Sequence, residues 1–228
     1  MKTPQERIEE LRNLIRTYDA AYYGRGESLV SDQQYDSLYR ELVDLENAYP
    51  QLKSADSPTQ RVGSDLVKEF PKVAHSIPMM SIDNTYSEGE LREWVERMKR
   101  SLPNEKLCFV GELKVDGVAV SLIYENKKLV QGATRGNGTI GDEVTANIRT
   151  IRSIPLSVDV DFPFEVRGEV YMTYDAFSAL NQSIIESGHK PMQNPRNTTA
   201  GTLKLQNPKE VAHRNLSFAA YSLLSDTY

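Results

Sequence analysis

The chain has 228 residues, of which 39% are hydrophobic and 26% charged, and its formal net charge is −5. This composition excludes a disordered protein and leaves room for one medium domain, or for a small domain beside a larger one. No apolar run approaches the roughly 20 residues that span a bilayer, and the N-terminus lacks the apolar stretch of a signal peptide. The single cysteine, Cys108, excludes an intrachain disulfide. We therefore expect a cytoplasmic protein that is not bound to a membrane.

The first fifty residues predict a hairpin of two helices. A capping-box pattern at residues 3–6 opens an apolar stripe of helical spacing, which Gly24 and Gly26 end. A second capping box at residues 31–34 opens another apolar stripe, which ends before Pro50.

The remainder of the chain predicts an α+β domain with a mostly antiparallel core. Strands are expected at residues 107–112, 118–124, 129–134, 164–171 and 216–223. Helices are expected from near Ser87, at residues 142–149, and at residues 173–188. Cys108 lies in one of the apolar strands, so we expect it to be buried.

The stretch at residues 111–117 places one lysine between two carboxylates. Because side chains alternate along a strand, Glu112, Lys114 and Asp116 should share one face, and the residues between them should point into the core. Such a face is most often a solvated, salt-bridged surface. It also suits a nucleophilic lysine, provided that burial, a metal ion or a bound cationic group removes its proton. The pattern alone leaves both interpretations open.

Three later stretches, at residues 133–145, 164–172 and 194–197, are too specific for generic loops. Together with Lys114 they resemble the adenylation domain of bacterial NAD-dependent DNA ligases, in the order that family uses. The resemblance also covers the N-terminal hairpin.

The resemblance implies two domains. Residues 1–60 would form a helical lobe that binds the nicotinamide mononucleotide (NMN) half of NAD. Residues 61–228 would form a nucleotidyltransferase domain of the ATP-grasp-like ligase type, with antiparallel sheets. The family's domain continues with a strand of the form Glu-Gly-x-Val-x-Lys, and nothing after Glu169 matches it. We therefore expect an incomplete C-terminal end, in a piece of a longer ligase.

The resemblance also assigns a role to each candidate site residue. Lys114 would be the nucleophile, and Asp116 would orient it. Contacts to the adenylate half of NAD would come from Ser81, Ile82, Glu112, Arg135, Glu169, Arg196 and Tyr221. Contacts to the nicotinamide half would come from Tyr22, Asp32, Gln33, Gln34, Tyr35 and Asp36. Asp116 and Glu169 would be the ligands of Mg²⁺.

Three positions depart from the family pattern. Tyr23 replaces a histidine, Asn137 an aspartate and Lys204 an arginine. A lysine still neutralises phosphate but cannot bind it bidentately, and asparagine keeps the turn geometry without the charge.

The implied activity is that of a bacterial DNA ligase of replication and repair, which transfers AMP from NAD to Lys114 and then to nicked double-stranded DNA. We expect a nucleoid-associated monomer whose DNA contacts, and any zinc site, lie mainly in missing domains, so that this piece alone does not seal nicks. Two alternatives stay open. One is an ATP-dependent ligase or capping-type nucleotidyltransferase, which shares the Lys-x-Asp-Gly signature but lacks the lobe. The other is a catalytically inactive NAD-binding module.

Overall fold

The computed structural model describes residues 2–25, 27, 29–61 and 69–225, without the side chains of Tyr23, Arg25 and Asp32. The predicted domain boundary after residue 60 adjoins residues outside these ranges and stays a prediction. No helix in the described part of the chain is long and apolar enough to cross a bilayer.

Two long helices, α1 (Pro4–Arg25) and α2 (Asp32–Ala48), pack against each other as the predicted hairpin. Both predicted capping boxes are present. The backbone N–H of Thr3 donates to the Glu6 carboxylate, and Ser31 and Gln34 cap the start of α2 reciprocally. The interior of this hairpin, which we call the lobe, is a small cluster of buried aliphatic side chains. Its fully buried members are Ile8, Leu11, Ile15 and Leu42.

Charged groups stabilise the lobe internally and connect it to the rest of the chain. The buried Arg12 guanidinium donates to the Glu46 carboxylate at 2.6 Å. Arg61, which follows the lobe, lies 3.8 Å from Asp19 of α1 in an ion pair. Arg61 also donates through Nη1 to three backbone carbonyls, those of Arg149, Ile151 and Ile154. The lobe is therefore held against the body of the chain by polar contacts.

The body combines strands and short helices. Its strands are β1 (Lys72–Ala74), β2 (Val118–Glu125), β3 (Lys128–Thr134), β4 (Ile140–Asp142), β5 (Phe164–Tyr171) and β6 (Ser217–Leu224). Its helices are α3 (Glu88–Ser101), α4 (Thr145–Ile148), α5 (Tyr174–Glu186), α6 (Pro195–Leu203) and α7 (Pro208–His213). A four-stranded antiparallel sheet has the order β3-β2-β5-β6, and β1 pairs with β4 in a second, two-stranded sheet. The predicted α+β architecture with antiparallel sheets is confirmed.

The four-stranded sheet has two different faces. One face packs on a core to which α4, α6 and α7 contribute Ile148, Leu203 and Val211. Along β5 the residues that alternate with the core positions are Glu165, Arg167, Glu169 and Tyr171, so they share the opposite face, as predicted. The second face therefore carries the charged side chains.

The predicted strand at residues 107–112 is wrong. Residues 106–117 have no regular secondary structure, and none of the strand pairs in the described part of the chain includes them. Without a partner strand, Glu112, Lys114 and Asp116 are all exposed, Leu113 is 93% exposed instead of buried, and Cys108 is exposed as well. Strand propensity measures the fit to a half-buried pleated surface, and no such surface covers this segment.

One of the predicted helices differs from expectation, and the other two begin where predicted. The helix predicted at residues 142–149 shortens to α4 because Asp142 instead pairs with Lys72 across the small sheet. Helix α5 begins at its predicted cap, Thr173. Helix α3 has no buried residue; Trp94 on it contacts the ring of Phe109, with the two ring centroids 5.5 Å apart. This contact supports the segment that leads to Lys114.

Candidate functional site

A cleft of about 1140 Å³ lies over the charged face of the sheet, and we call it the sheet cleft. It is lined by seven of the predicted site residues: Ile82, Glu112, Lys114, Arg135, Glu169, Arg196 and Tyr221. Two other candidates lie beside it. Ser81 is exposed next to Ile82, and Asp116 forms an ion pair with Arg196. The cleft therefore gathers residues from distant parts of the chain around one lysine.

Glu169 lies at the floor of the sheet cleft. Its Cα partners on the neighbouring strands are Ala119 of β2 and Ala219 of β6, and these small side chains leave space above the sheet. Burial raises the pKa of Glu169, against the opposing effects of a hydrogen bond from the Gly117 backbone N–H and of the nearby Lys114, Arg196 and Arg135 charges. The floor thus combines one carboxylate with three cations.

Gly117 joins the lysine segment to β2 in a space that admits no side chain. A Cβ at this position would lie 2.1 Å from the carbonyl oxygen of Val170. The Gly117 carbonyl accepts a hydrogen bond from Arg196 Nε at 3.2 Å, and the same nitrogen lies 3.3 Å from the Asp116 carboxylate. Arg196 therefore fixes the end of the lysine segment as well as lining the cleft.

Arg135 is held by a tight loop between β3 and β4. Its backbone N–H donates to the Ala119 carbonyl, and Gly136 takes the left-handed backbone conformation, with φ 57°. Asn137 Oδ1 accepts from the backbone N–H groups of Thr139 and Ile140, at 3.0 and 2.8 Å. The asparagine at this departure from the family pattern thus organises the loop that presents Arg135.

Lys204, another departure from the family pattern, lies at the cleft wall. Its Nζ is 2.9 Å from Asp142, which also pairs with Lys72. Hydrogen bonds from Lys72 and Lys204 hold the pKa of Asp142 below its usual range. The sequence had indicated no role for Asp142; its one signal was a carboxylate close after the glycine-rich turn.

A second, smaller cleft of about 490 Å³, which we call the lobe pocket, lies between the lobe and the body. Three predicted residues line it: Tyr22, Tyr35 and Asp36. Its other polar lining residues were not predicted: Tyr18, Asp19, Tyr39, Arg61, Thr150 and Arg152. The lobe pocket and the sheet cleft have no lining residue in common within the described part of the chain.

Asp19 is the centre of the hydrogen bonding in the lobe pocket. Tyr35 donates through its hydroxyl to Asp19 Oδ1 at 2.8 Å, and the Tyr35 ring stacks on Tyr39 with centroids 6.3 Å apart. Burial raises the pKa of Asp19, against the opposing effects of the Tyr35 hydrogen bond and of Arg61. The available sequence signal was its position one helical turn before Tyr22.

Two residues predicted for the nicotinamide half, Gln33 and Gln34, do not line the lobe pocket. Gln34 uses its side-chain amide in the capping box of α2. Gln33 lines a shallow groove along α2 instead, with Arg40 and Asp44. The side chains of Asp32 and Tyr23 lie outside the described residues. The interpretation of Gln33 and Gln34 as ligand contacts therefore lacks support from their positions.

Comparison with known proteins decides the family. The family model of the NAD-dependent DNA ligase adenylation domain matches residues 67–227, and that of the N-terminal NAD+-binding domain of DNA ligase-like proteins matches residues 1–63. The chain belongs to the NAD-dependent DNA ligase family.

Relatives named DNA ligase agree with this assignment. The chain is 49% identical to one from Methylacidiphilum infernorum over 95% of its own length and 32% of the relative's. It is 45% identical to one from Thermotoga neapolitana, over 98% of this chain and 32% of that one. A third, from Thermotoga petrophila, is 46% identical over all of this chain and 34% of the relative. The chain thus spans about a third of the length of the curated ligases that it matches.

The predicted magnesium ligands of this ligase region can be tested against the chemistry of the ion. Within the described residues, no group of three or more His, Cys, Asp or Glu side chains is placed to hold a metal. Asp116 is exposed beside Arg196, and Glu169 is half-buried under Gly117. Mg²⁺ usually binds one or two carboxylates together with substrate phosphate oxygens. Asp116 beside the sheet cleft and Glu169 at its floor therefore supply the one or two carboxylates of such a site, and a bound nucleotide would supply the phosphate oxygens.

Proposed function

We propose that Lys114 takes AMP from NAD. Its Nζ, as the neutral amine, bonds to the phosphorus of the adenylate half while the bond from that phosphorus to the bridging oxygen breaks. NMN leaves with that oxygen, Nζ releases a proton to solvent, and AMP stays on the lysine as a phosphoramidate. The observation that carries this proposal is the sheet cleft, in which Lys114, Glu112, Arg135 and Glu169 lie together.

The cations of the sheet cleft suit the phosphate of the adenylate half. Arg135 and Arg196 can donate planar pairs of hydrogen bonds to phosphate oxygens, and Lys204 adds a point charge. Fixed charges of this kind stabilise the negative charge that develops on the phosphate as the bond to NMN breaks. Glu112 and Tyr221 line the cleft as contacts for the adenine, and Glu169 for the ribose.

The predicted magnesium ion fits the same proposal. Asp116 and Glu169 would hold it together with phosphate oxygens, where it would neutralise phosphate charge.

The lobe pocket suits the other half of the dinucleotide. The nicotinamide ring of NAD is a flat cation, and the lobe pocket offers aromatic rings and the carboxylates of Asp19 and Asp36. Arg61 and Arg152 line the same pocket on the side of the body and suit the NMN phosphate.

In the whole protein, AMP on Lys114 would pass to the 5′-phosphate at a nick in double-stranded DNA. The 3′-hydroxyl would then displace AMP and seal the strand. We propose DNA replication and repair in a bacterial cytoplasm as the setting of this activity, from the resemblance to bacterial NAD-dependent DNA ligases.

Mass spectrometry after incubation with NAD and Mg²⁺ tests the proposal. The expected result is an adduct of one AMP on Lys114, which Lys114→Ala abolishes. Lys106→Ala is a matched control, since Lys106 is exposed in the same irregular segment, and it should retain the adduct. An adduct on another lysine at similar yield would contradict the role of Lys114.

The same assay separates the alternatives. An ATP-dependent ligase or capping-type enzyme would form the adduct from ATP and not from NAD. A catalytically inactive module would bind NAD, as calorimetry would detect, and form no adduct from either nucleotide.

A further inference from the structure

One wall of the sheet cleft is formed by a segment without regular secondary structure. Residues 76–82 connect β1 toward α3, and Met79, Met80 and Ile82 of this segment line the cleft. Met80 and Ile82 are exposed, so their own packing does not fix the wall. Its position therefore depends on the buried Met79 and on hydrogen bonds to the backbone of the segment.

The guanidinium of Arg167 supplies those contacts from the charged face of β5. Arg167 Nη1 donates to the Pro78 carbonyl at 3.1 Å, and Nη2 donates to the Ile77 carbonyl. Nε donates to Glu165 Oε1 at 2.6 Å. Each nitrogen of Arg167 therefore donates to an oxygen of the protein, although the side chain also lines the cleft.

Glu165 holds this guanidinium in place. It accepts hydrogen bonds from Ser121 Oγ at 2.7 Å and from Ser76 Oγ at 3.3 Å, in addition to Arg167. Both Glu165 and Arg167 are only 8% exposed. A buried ion pair adds little to stability compared with apolar side chains of the same size. The ion pair is better explained by the hydrogen bonds that Arg167 donates to the carbonyls of Ile77 and Pro78.

The loop of Arg135 holds the same segment from the other side. The backbone N–H of Met79 donates to the Gly138 carbonyl at 2.8 Å, and the Met79 side chain is buried. Gly138 has φ 95°, and a Cβ there would lie 2.9 Å from the Met79 carbonyl oxygen. The segment is thus clamped between β5 and this loop.

We propose that Arg167 is a positioning residue for the adenine nucleotide: through the carbonyls of Ile77 and Pro78 it fixes residues 76–82 as a wall of the sheet cleft. The identity of the ligand rests on the proposed function, whereas the clamp itself does not. An arginine is required because its planar fork bonds two adjacent carbonyls and a carboxylate at once, and a lysine presents its donors from a single nitrogen.

Arg167→Lys is the first test, with two measurements on the 228-residue chain. Hydrogen exchange of the backbone amides at residues 76–82 should accelerate about tenfold, because hydrogen bonds from a charged group are lost. The amides of β2 should keep their protection. Calorimetry with AMP should give a Kd about tenfold higher. In adduct formation, the half-saturating NAD concentration should rise by a larger factor than the maximal rate falls.

Arg7→Lys is the matched control. Arg7 also donates to a glutamate through its fork, to Glu41 of the lobe, but far along the chain from this segment. It should leave both the exchange at residues 76–82 and the affinity for AMP unchanged.

Unchanged exchange at residues 76–82 in Arg167→Lys would overturn the clamp. Faster exchange with unaltered affinity for AMP would overturn the positioning role. If the unsubstituted chain bound no AMP and formed no adduct, the proposed function would fail, while the exchange result would still decide the clamp.

Gly138→Ala perturbs residues 76–82 without changing Arg167. It is the second test of the proposal, to be used should Arg167→Lys fail to fold. The added Cβ would push on Met79, so exchange at residues 76–82 and the Kd for AMP should both rise. A rise in neither would overturn the proposal.

Discussion

The sheet cleft and the lobe pocket differ in the charges that they present. The sheet cleft gathers cations, among them Lys114, Arg135 and Arg196, over strands of an antiparallel sheet. The lobe pocket gathers tyrosine rings between two helices and the body, and its two carboxylates, Asp19 and Asp36, are balanced by the guanidinium groups of Arg61 and Arg152. Under the proposed function, these two unlike surfaces would recognise the two halves of one dinucleotide. The sheet cleft would take the adenine with its phosphate, and the lobe pocket would take the flat nicotinamide cation with the second phosphate.

The largest effect should come from removing one cation of the sheet cleft. Arg135→Met should slow adduct formation from NAD by roughly 10²–10³-fold, because a preorganised donor to the phosphate is lost. Quenched time courses read by mass spectrometry measure this rate. Arg100→Met, an exposed arginine on α3, is the control and should react at the normal rate. A normal rate in Arg135→Met would remove that residue from the phosphate site.

The lobe can be weakened without touching the sheet cleft. Glu46→Gln leaves the buried Arg12 without its ionic partner and should lower the free energy of unfolding of the lobe by about 3 kcal/mol. Chemical denaturation measures this change. Glu41→Gln, which removes the partly exposed partner of Arg7, should cost less than about 1 kcal/mol.

Glu46→Gln also tests whether the two regions act separately. AMP binding should persist in conditions where the lobe of this variant is unfolded, whereas adduct formation from NAD should be lost. Loss of both activities together would show that the sheet cleft depends on the lobe.

A smaller effect should separate the two halves of NAD. Tyr22 is 56% exposed, so Tyr22→Ala should leave the fold intact. It should weaken NAD binding about tenfold through the lost contact of the ring with the nicotinamide cation, and leave AMP binding unchanged. Calorimetry with each nucleotide gives the comparison, with the exposed Tyr174→Ala as the control. Equal losses for AMP and NAD would contradict the assignment of the lobe pocket.

The smallest effect concerns the stability of the cleft wall. The Asp142 carboxylate, paired with Lys72 and Lys204, has a pKa below its usual range, so it contributes stability above its unfolded pKa and loses it as the pH falls through its folded pKa. Asp142→Asn should lower the free energy of unfolding by about 1 kcal/mol at pH 7, since both lysines are partly exposed. The difference should shrink as the pH falls from 7 and should vanish once the pH lies below the folded pKa of Asp142. A difference that persisted there would point to packing instead of charge.

The sequence predicts best what is decided locally. Thr173 and the second capping box begin helices where predicted, because a cap depends on residues three positions apart. Strand β5 has its predicted limits, and the alternation along it places Arg167 and Glu169 on one face. The candidates that line the sheet cleft came from family motifs, since no periodicity indicates that Lys114 and Arg196 meet.

The predictions that fail concern segments whose structure depends on contacts with residues distant in the sequence. Residues 107–112 have the composition of a strand but no strand beside them, so Leu113 and Cys108 are exposed. Asp142 joins β1 across the small sheet, a pairing at long sequence separation that shortens α4. The roles of Asp19 and Arg167 depend on their hydrogen-bond partners, which lie in other parts of the chain.

The contact between Trp94 and Phe109 gives this ligase region a built-in optical reporter. Trp94 is the chain's single tryptophan, so all indole emission comes from the helix that supports the lysine segment. In the proposed reaction, any rearrangement of that segment as Lys114 acquires AMP would change the surroundings of one fluorophore. Stopped-flow fluorescence of the unlabelled protein would then follow the proposed first step in real time, with Lys114→Ala supplying the baseline.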